Sequence, residues 1–136
     1  EVGSVATDFE HRSFGQELPL CQRYYQKSYS YGVVPGAGSV NSGMITGSVS
    51  SARSNRLDLG TRFEAEMRTT PTMTIHRPFS GVTGQLESFG STNGTSAGSG
   101  RTFTMRGLGR KGFAGFSLST QTGGTIGYHY QADAEI

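Results

Sequence analysis

The chain has 136 residues, with 12 basic and 10 acidic side chains, three His, one Cys and no Trp. This length fits one domain, and 21 Gly is about twice the usual ~7% share. Such a composition excludes a helical bundle and a coiled coil, while 8 Phe and 6 Tyr favour a packed body. A net charge of +2 without a basic stripe argues against nucleic-acid binding. No apolar run approaches the ~18 residues of a membrane span, and we find no signal peptide.

The first 27 residues are expected to be a linker and a short helix that follow an upstream domain. The segment 15–26 is the one plausible helix, because Leu18, Cys21 and Tyr25 form an apolar stripe at helical spacing. Pro19 fits such a helix if it lies in the first turn, where its missing N–H costs nothing. The apolar neighbours Leu18 and Leu20 predict a buried, inert thiol at Cys21.

After residue 27 the apolar period changes to two, which is typical of β-strands. In the last of these segments Ile126, Tyr128, Tyr130 and Ala132 face one way and the residues between them face the other. Alternation predicts strands at 61–68, 72–77, 102–105, 114–118 and 126–133, and weaker patterns add 28–33, 44–49 and 82–87. About eight strands separated by turn signals predict a C-terminal antiparallel β-sandwich over residues 28–136, jelly-roll-like in arrangement.

The connections are rich in glycine and serine. The longest, residues 90–100, has no side chain larger than Asn. It cannot bury enough surface to order itself, so we expect it to be mobile or to contact a partner.

Two neighbouring stretches, residues 1–18 and 20–25, read EVGSVATDFEHRSFGQEL and LCQRYY. They resemble the junction that leads into a C-terminal β domain in the distal part of bacteriophage tail fibres and tailspikes. Residues 63–74 are similar to a strand pair of that domain, and residues 127–136 to a fibre C-terminus. Residues 78–125 lie outside the resemblance.

The resemblance implies a homotrimer at the distal end of the virion that contacts bacterial surface glycans, such as lipopolysaccharide or capsule. It implies no membrane insertion and no nucleic-acid partner. The alternative is a purely structural module that trimerises and caps the fibre while another domain binds or depolymerises. An oligomer would also cover strand edges and apolar surface that a chain with few large aliphatic residues leaves open.

For sugar binding, a flat ring beside planar hydrogen-bonding groups is needed. The adjacent residues His76, Arg77 and Phe79 provide this at a predicted strand end. Arg110 and Lys111 are expected at the tip of a tight hairpin, where they would meet an anionic glycan. We assign these five residues to ligand binding.

Tyrosines are the candidates for the oligomer interface. Tyr128 and Tyr130 alternate on the last strand, and Tyr24 and Tyr25 lie near the end of the predicted helix. Buried tyrosines, in a core or along a trimer axis, keep their hydroxyls hydrogen-bonded. We assign these four residues to the interface.

No residue set for catalysis, a metal or a cofactor stands out. Glu64 and Glu66 share a strand face at a spacing that a glycosidase pair permits, but they alternate with Arg62 and Arg68 and are better interpreted as a charge-paired surface. Asp8, Glu10 and His11 are close in sequence without a second cluster to complete a site. His76 and His129 become candidates only if the fold brings them together. We predict a domain that binds without catalysis.

Overall fold

The computed structural model describes residues 12–48, 56–89, 96–118 and 125–135. Within these ranges the chain is mostly β: nine strands form two antiparallel sheets, and one short helix precedes them. The elements are α1 (Phe14–Gln22), β1 (Tyr25–Lys27), β2 (Ile45–Ser48), β3 (Arg56–Arg62), β4 (Thr72–His76), β5 (Gln85–Phe89), β6 (Ser96–Thr102), β7 (Thr104–Gly109), β8 (Gly112–Leu118) and β9 (Thr125–Asp133). The prediction of an all-β sandwich after one helix is confirmed.

Strand β9 organises the larger, six-stranded sheet, because four strands pair with it. Asp133 has register partners in both β1 and β4, so these strands flank the C-terminal half of β9 on opposite sides. Gly127 has register partners in both β2 and β5, which flank the N-terminal half. Strand β6 extends the sheet beyond β5, and β3, β8 and β7 form the second sheet in that order.

The core lies between the two sheets. Leu57 and Leu59 of β3 and Phe113 of β8 meet the inner face of β9, where Tyr128 and Tyr130 are buried. The predicted alternation of β9 is confirmed on this face, since Ile126 and Ala132 are buried there too. Phe113 contacts four other rings, with centroid distances from 5.4 to 6.2 Å.

Several predicted elements differ from the structure. Residues 28–33 form no strand, and residues 63–68 follow the end of β3 as irregular chain rather than continuing a strand. Gln26 explains the second difference, because its side chain donates to the Ala65 carbonyl at 2.7 Å and accepts from the Glu64 N–H at 2.9 Å. These bonds replace a strand ladder, although Phe63 and Met67 are buried as expected.

The predicted long loop is shorter than expected. Residues 96–100 belong to β6, which pairs with β5 through backbone register partners such as Leu86 and Arg101. Backbone pairing needs no large side chain, so a partner strand turns a glycine- and serine-rich segment into sheet. Residues 90–95 of the predicted loop lie outside the described residues, as do the linker residues 1–11.

The helix also differs in detail from the prediction. It starts at Phe14, with the Ser13 N–H bonded to Gln16 Oε1 at 2.9 Å, so Pro19 lies in its interior. The helix ends at Gln22, and Tyr25 belongs to β1, which removes Tyr25 from the expected apolar stripe. Cys21 is exposed rather than buried, because none of the nine residues of α1, all of them described, is fully buried.

Candidate functional site

A groove of about 930 Å³ lies between α1, β1, the end of β3 and the loop that connects β1 to β2. We call it the tyrosine groove and define it by six of its lining residues: Gln22, Tyr25, Tyr31, Arg62, Glu64 and Tyr130. Its volume falls within the ~300–1,000 Å³ of small-molecule sites. The loop, residues 28–44, is called the outer loop.

The groove arises where two short strands share one long neighbour. β1 covers residues 131–133 of β9 and β2 covers residues 125–128, so Tyr130 lies in the interval between them. In that interval Ser28 satisfies both backbone groups of Tyr130. Its N–H donates to the Tyr130 carbonyl at 3.0 Å, and its side-chain Oγ accepts from the Tyr130 N–H at 3.0 Å. The chain then leaves the sheet edge as the outer loop and forms one wall of the groove.

Two tyrosines of the groove keep exposed surface. Tyr31 is 73% exposed and Tyr25 is 36% exposed, whereas Tyr130 is buried at the base. Burial, followed by the nearby Asp133 carboxylate, raises the pKa of Tyr25, so its phenol stays neutral and can act as a hydrogen-bond donor. The exposed rings can therefore offer both an apolar face and a polar edge to a ligand.

The charged side chains at the groove differ in whether they hold the outer loop or are exposed to solvent. The Lys27 ammonium donates to the Tyr31 carbonyl at 3.1 Å and to the Val33 carbonyl at 2.5 Å, which holds the outer loop. Arg62 and Glu64 also line the groove, and both are exposed. A guanidinium, a carboxylate and the Gln22 amide are planar hydrogen-bonding groups beside aromatic rings, the combination that suits a sugar.

The predicted ligand residues His76, Arg77 and Phe79 lie elsewhere, against the inner side of the outer loop. His76 is 7% exposed, and a Cβ at Gly36 of the loop would be 3.5 Å from its Nδ1. The Phe79 carbonyl accepts from the Ser39 N–H at 3.0 Å, and its ring packs edge-on against Phe89 at 5.8 Å. The loop covers the surface on which these residues were expected to meet a ligand.

Arg77 has a partner inside the domain. Its Nε and Nη2 donate to the two Glu87 carboxylate oxygens, both at 2.8 Å, and the Glu87 side chain has no exposed surface. These hydrogen bonds to Glu87 are the main reason that the pKa of Arg77 is raised, against an opposing effect of burial. This bidentate pair directs the guanidinium into the domain, and only 14% of the Arg77 side chain is exposed.

Arg110 and Lys111 form the turn between β7 and β8, as the predicted hairpin requires. They belong to the three-stranded sheet, so the structure does not join them to His76 in one site. Both are near Glu66: Arg110 Nη2 lies 3.2 Å from its Oε1 and Lys111 Nζ lies 3.8 Å from its Oε2. The two cations are exposed, and their role in binding stays a prediction.

The four interface candidates divide into two pairs. Tyr24 and Tyr25 are 41% and 36% exposed, so an interface role for them stays a prediction. Tyr128 and Tyr130 are 0% and 5% exposed within a single chain, because the second sheet covers them. In the single chain these two rings are part of the core, and an interface role for Tyr128 and Tyr130 stays a prediction.

The fold does bring the two histidines together, as register partners on β4 and β9. No group of three or more His, Cys, Asp or Glu that could hold a metal is found within the described ranges. Asp8, Glu10 and His11 lie outside those ranges. The described helix is too short and polar to cross a membrane.

Three residues of the groove, Tyr31, Arg62 and Gln22, are not among the site residues that the sequence predicts. The available signal was Tyr31 itself, which alternates with Tyr29 and was placed with it on a strand. In the outer loop the two rings separate, with Tyr29 4% and Tyr31 73% exposed.

Comparisons of the chain with protein-family models, curated proteins and solved structures give no match.

Proposed function

We propose that this chain is the receptor-binding C-terminal domain of a phage tail fibre or tailspike, which attaches the virion to host-surface carbohydrate without catalysis. The observation that carries the proposal is the tyrosine groove with its exposed rings. The resemblance of residues 1–25, 63–74 and 127–136 to tail-fibre segments supports the virion setting. The glycan would be lipopolysaccharide or capsule.

The groove supplies what a pyranose ring needs. Tyr31 offers a ring face for the C–H side of the sugar, and Gln22 and Arg62 offer planar groups for its hydroxyls. Because Tyr31 stands on a loop that the sheet holds in place, the ring is presented on a supported scaffold.

A binding role without catalysis agrees with the acids at the groove. Glu64 is the one carboxylate among the lining residues of the described chain. Most glycosidases place two carboxyl groups across the scissile bond, about 5–10 Å apart. Glu66, the other candidate of the pair, is engaged with Arg110 and Lys111 at the hairpin.

The assembly we propose is a homotrimer, which would present three grooves to one cell surface. Linked weak sites gain avidity because the second and third binding events become intramolecular. Tyr24 and Tyr25 are the interface candidates that are exposed in the single chain, while Tyr25 also lines the groove.

A pair of matched variants tests the groove. Tyr31 and Val34 are both 73% exposed and lie in the same loop, but Tyr31 lines the groove and Val34 is not among its lining residues. We expect Tyr31→Ala to lose at least tenfold in binding to bacterial cells and to an array of lipopolysaccharide and capsular glycans. Val34→Ala should bind as the wild type does, and both should melt at the wild-type temperature. Equal binding by both variants would contradict the groove as the site.

The capping module is the second candidate, and exposed apolar side chains favour it. Phe14 of α1 is 73% exposed, Leu20 is 40% exposed, and Tyr24 just after the helix is 41% exposed. A nine-residue helix without a fully buried residue gains little from packing within its own chain. A trimer by light scattering that binds no glycan on the array would support capping over attachment.

A further inference from the structure

A buried histidine of the sheet is hydrogen-bonded to both ends of the outer loop, beside the bonds that Lys27 and the Phe79 carbonyl make to it. His129 of β9 has no exposed surface. Its Nε2 lies 2.9 Å from the Val40 carbonyl and its Nδ1 lies 2.9 Å from Ser28 Oγ, so the ring joins the beginning of the loop to a point near its end. The Tyr29 ring stacks on it at a centroid distance of 4.0 Å and an angle of 17°.

The partners determine which nitrogen carries the proton. A carbonyl only accepts, so Nε2 donates to Val40 and the neutral ring keeps a lone pair on Nδ1. The Ser28 hydroxyl donates to that lone pair, while its oxygen accepts from the Tyr130 N–H. Each hydrogen-bonding atom of this network is satisfied while His129 is neutral. A second proton on Nδ1 would remove the acceptor that Ser28 uses and place a charge where no water reaches.

The surrounding groups do not compensate such a charge. His76 of β4 is the register partner of His129, and Tyr29 covers its ring from the loop. From β5, Glu87 shares this face of the sheet, but the Arg77 fork already neutralises it. Lys27 of β1 and Asp133 of β9 complete the charged groups on this face, and the loop carbonyls hold the Lys27 ammonium.

Burial accordingly lowers the pKa of His129, and proximity to His76 lowers it further, against an opposing effect of the Val40 hydrogen bond. A lowered pKa in the closed state means that closure is fully favoured above the open-state pKa of about 6.5. Closure weakens as the pH falls from there through the closed-state pKa.

The geometry points to an acid-operated latch: protonation of His129 releases the outer loop from the sheet and thereby dismantles one wall of the tyrosine groove. Ser28, Tyr29, Ser30, Tyr31 and Gly43 of this loop line the groove. Loss of ligand binding at acid pH rests on the proposed function of the groove. Release of the loop does not, because it rests on the hydrogen bonds and the burial of His129 and needs no ligand.

Hydrogen exchange of the intact chain measures the latch without any ligand. Amide exchange of residues 33–44 is followed between pH 8 and pH 4.5, corrected for intrinsic rates, with β8 as internal reference. We expect opening of the loop to rise about tenfold for each pH unit below about 6.5 until the closed-state pKa is reached. Strand β8 should keep its protection. A loop that stays equally protected at pH 4.5 would overturn the latch.

Two variants test whether His129 or His76 is the residue whose protonation opens the loop. In His129→Gln, the side-chain amide can donate to Val40 and accept from Ser28 but does not titrate, so the acid transition should disappear. In His76→Gln the transition should remain and move to higher pH, because a like charge that disfavours His129 protonation is gone. Retention of the transition in His129→Gln, or its disappearance in His76→Gln, would contradict the assignment to His129.

The wild-type chain provides a check if His129→Gln fails to fold. The NMR titration midpoint of the His129 ring should coincide with the midpoint of loop opening, and a mismatch would overturn the latch.

Glycan binding, measured on the same array at pH 7.5 and pH 5, distinguishes failure of the latch from failure of the proposed function. Loop opening with no glycan bound at either pH would contradict the proposed function and leave the latch supported. Loop opening with unchanged glycan binding would contradict the control of the groove by the latch.

Discussion

The two faces of β9 are both buried, but by different means. On the inner face, Tyr128 and Tyr130 pack among aromatic and aliphatic side chains of the second sheet. On the outer face, His129 is covered by the outer loop and held by hydrogen bonds of 2.9 Å at each ring nitrogen. Apolar burial is non-directional and nearly independent of pH, whereas a hydrogen-bonded cover depends on protonation and on the position of single atoms.

The inner face of β9 therefore contributes mainly to the stability of the fold, and the outer face holds a segment that can be released. The inner face holds the two sheets together. The outer face holds a loop that carries one wall of the tyrosine groove, where Tyr31 is exposed. Segments that move in binding are drawn from the less stable parts of a fold. The predictions below disturb the two faces separately.

The largest effect is expected on the inner face, from Phe113→Ala. Phe113 is 5% exposed and contacts the rings of Phe63, Phe103, Tyr128 and Tyr130. Removal of its ring should lower the free energy of unfolding by about 3–5 kcal/mol through lost burial and the cavity left behind. Urea unfolding measures this. Val82→Ala, at a side chain that is 44% exposed, should change it by less than about 0.5 kcal/mol, and a similar loss in both variants would contradict the aromatic core.

On the outer side of the sheet, Glu87→Gln should cost about 3 kcal/mol of unfolding free energy. The Glu87 side chain is fully buried and its carboxylate neutralises Arg77, so the variant leaves a mostly buried guanidinium without its counter-charge. Glu66→Gln is the matched control, because Glu66 pairs with the exposed Arg110 and Lys111. Exposed pairs contribute about 0–1 kcal/mol. Equal losses in the two variants would show that burial of the Arg77 pair has no energetic consequence.

Tyr128→Phe gives the smallest effect and sharpens the description of the inner face. The Tyr128 hydroxyl is buried and has no hydrogen-bond partner within the described chain. Burial, followed by the neighbouring Tyr130, raises the pKa of Tyr128 to about 12. Because the folded-state pKa lies above the unfolded value of about 10, this residue's contribution is fully present below pH 10 and is lost as the pH rises through about 12.

Between pH 9 and pH 11, the free energy of unfolding should therefore fall by about 1 kcal/mol more in the wild type than in Tyr128→Phe. At pH 7.5 its stability should equal or slightly exceed that of the wild type, because a buried hydroxyl without a partner is removed. Denaturant unfolding at the three pH values measures both effects. Tyr31→Phe, at an exposed ring, should follow the wild type at every pH. A marked loss for Tyr128→Phe at pH 7.5 would show that its hydroxyl is hydrogen-bonded.

An element of the fold can be predicted from the sequence when the pattern that indicates it lies within the element's own residues. Strands β4 and β9 were predicted because apolar alternation along the segment itself records a buried face. β6 was not, because glycine and serine indicate a loop, and only the neighbouring β5 makes that segment a strand. Residues 28–33 were predicted as a strand from the alternation of Tyr29 and Tyr31, but the chain leaves the sheet at Ser28.

The candidate site was harder to predict than the fold. The tyrosine groove joins Gln22, Tyr31, Arg62 and Tyr130, which belong to four different elements: α1, the outer loop, β3 and β9. Adjacent residues such as His76, Arg77 and Phe79 attracted a functional assignment because they stand together in the chain. Their neighbours in space, Glu87 and the outer loop, cover or pair them, and no local pattern records such contacts.

NMR mapping tests the central claim, that the tyrosine groove binds a glycan, most directly. The labelled chain would be titrated at pH 7.5 with oligosaccharides from the lipopolysaccharide or capsule that gives the highest signal on the array. We predict saturable shift changes at Gln22, Tyr25, Tyr31 and Arg62, with the hairpin at Arg110 and Lys111 unchanged. Shifts confined to that hairpin, or no shifts with an oligosaccharide that the array shows to be bound, would contradict the groove as the binding site.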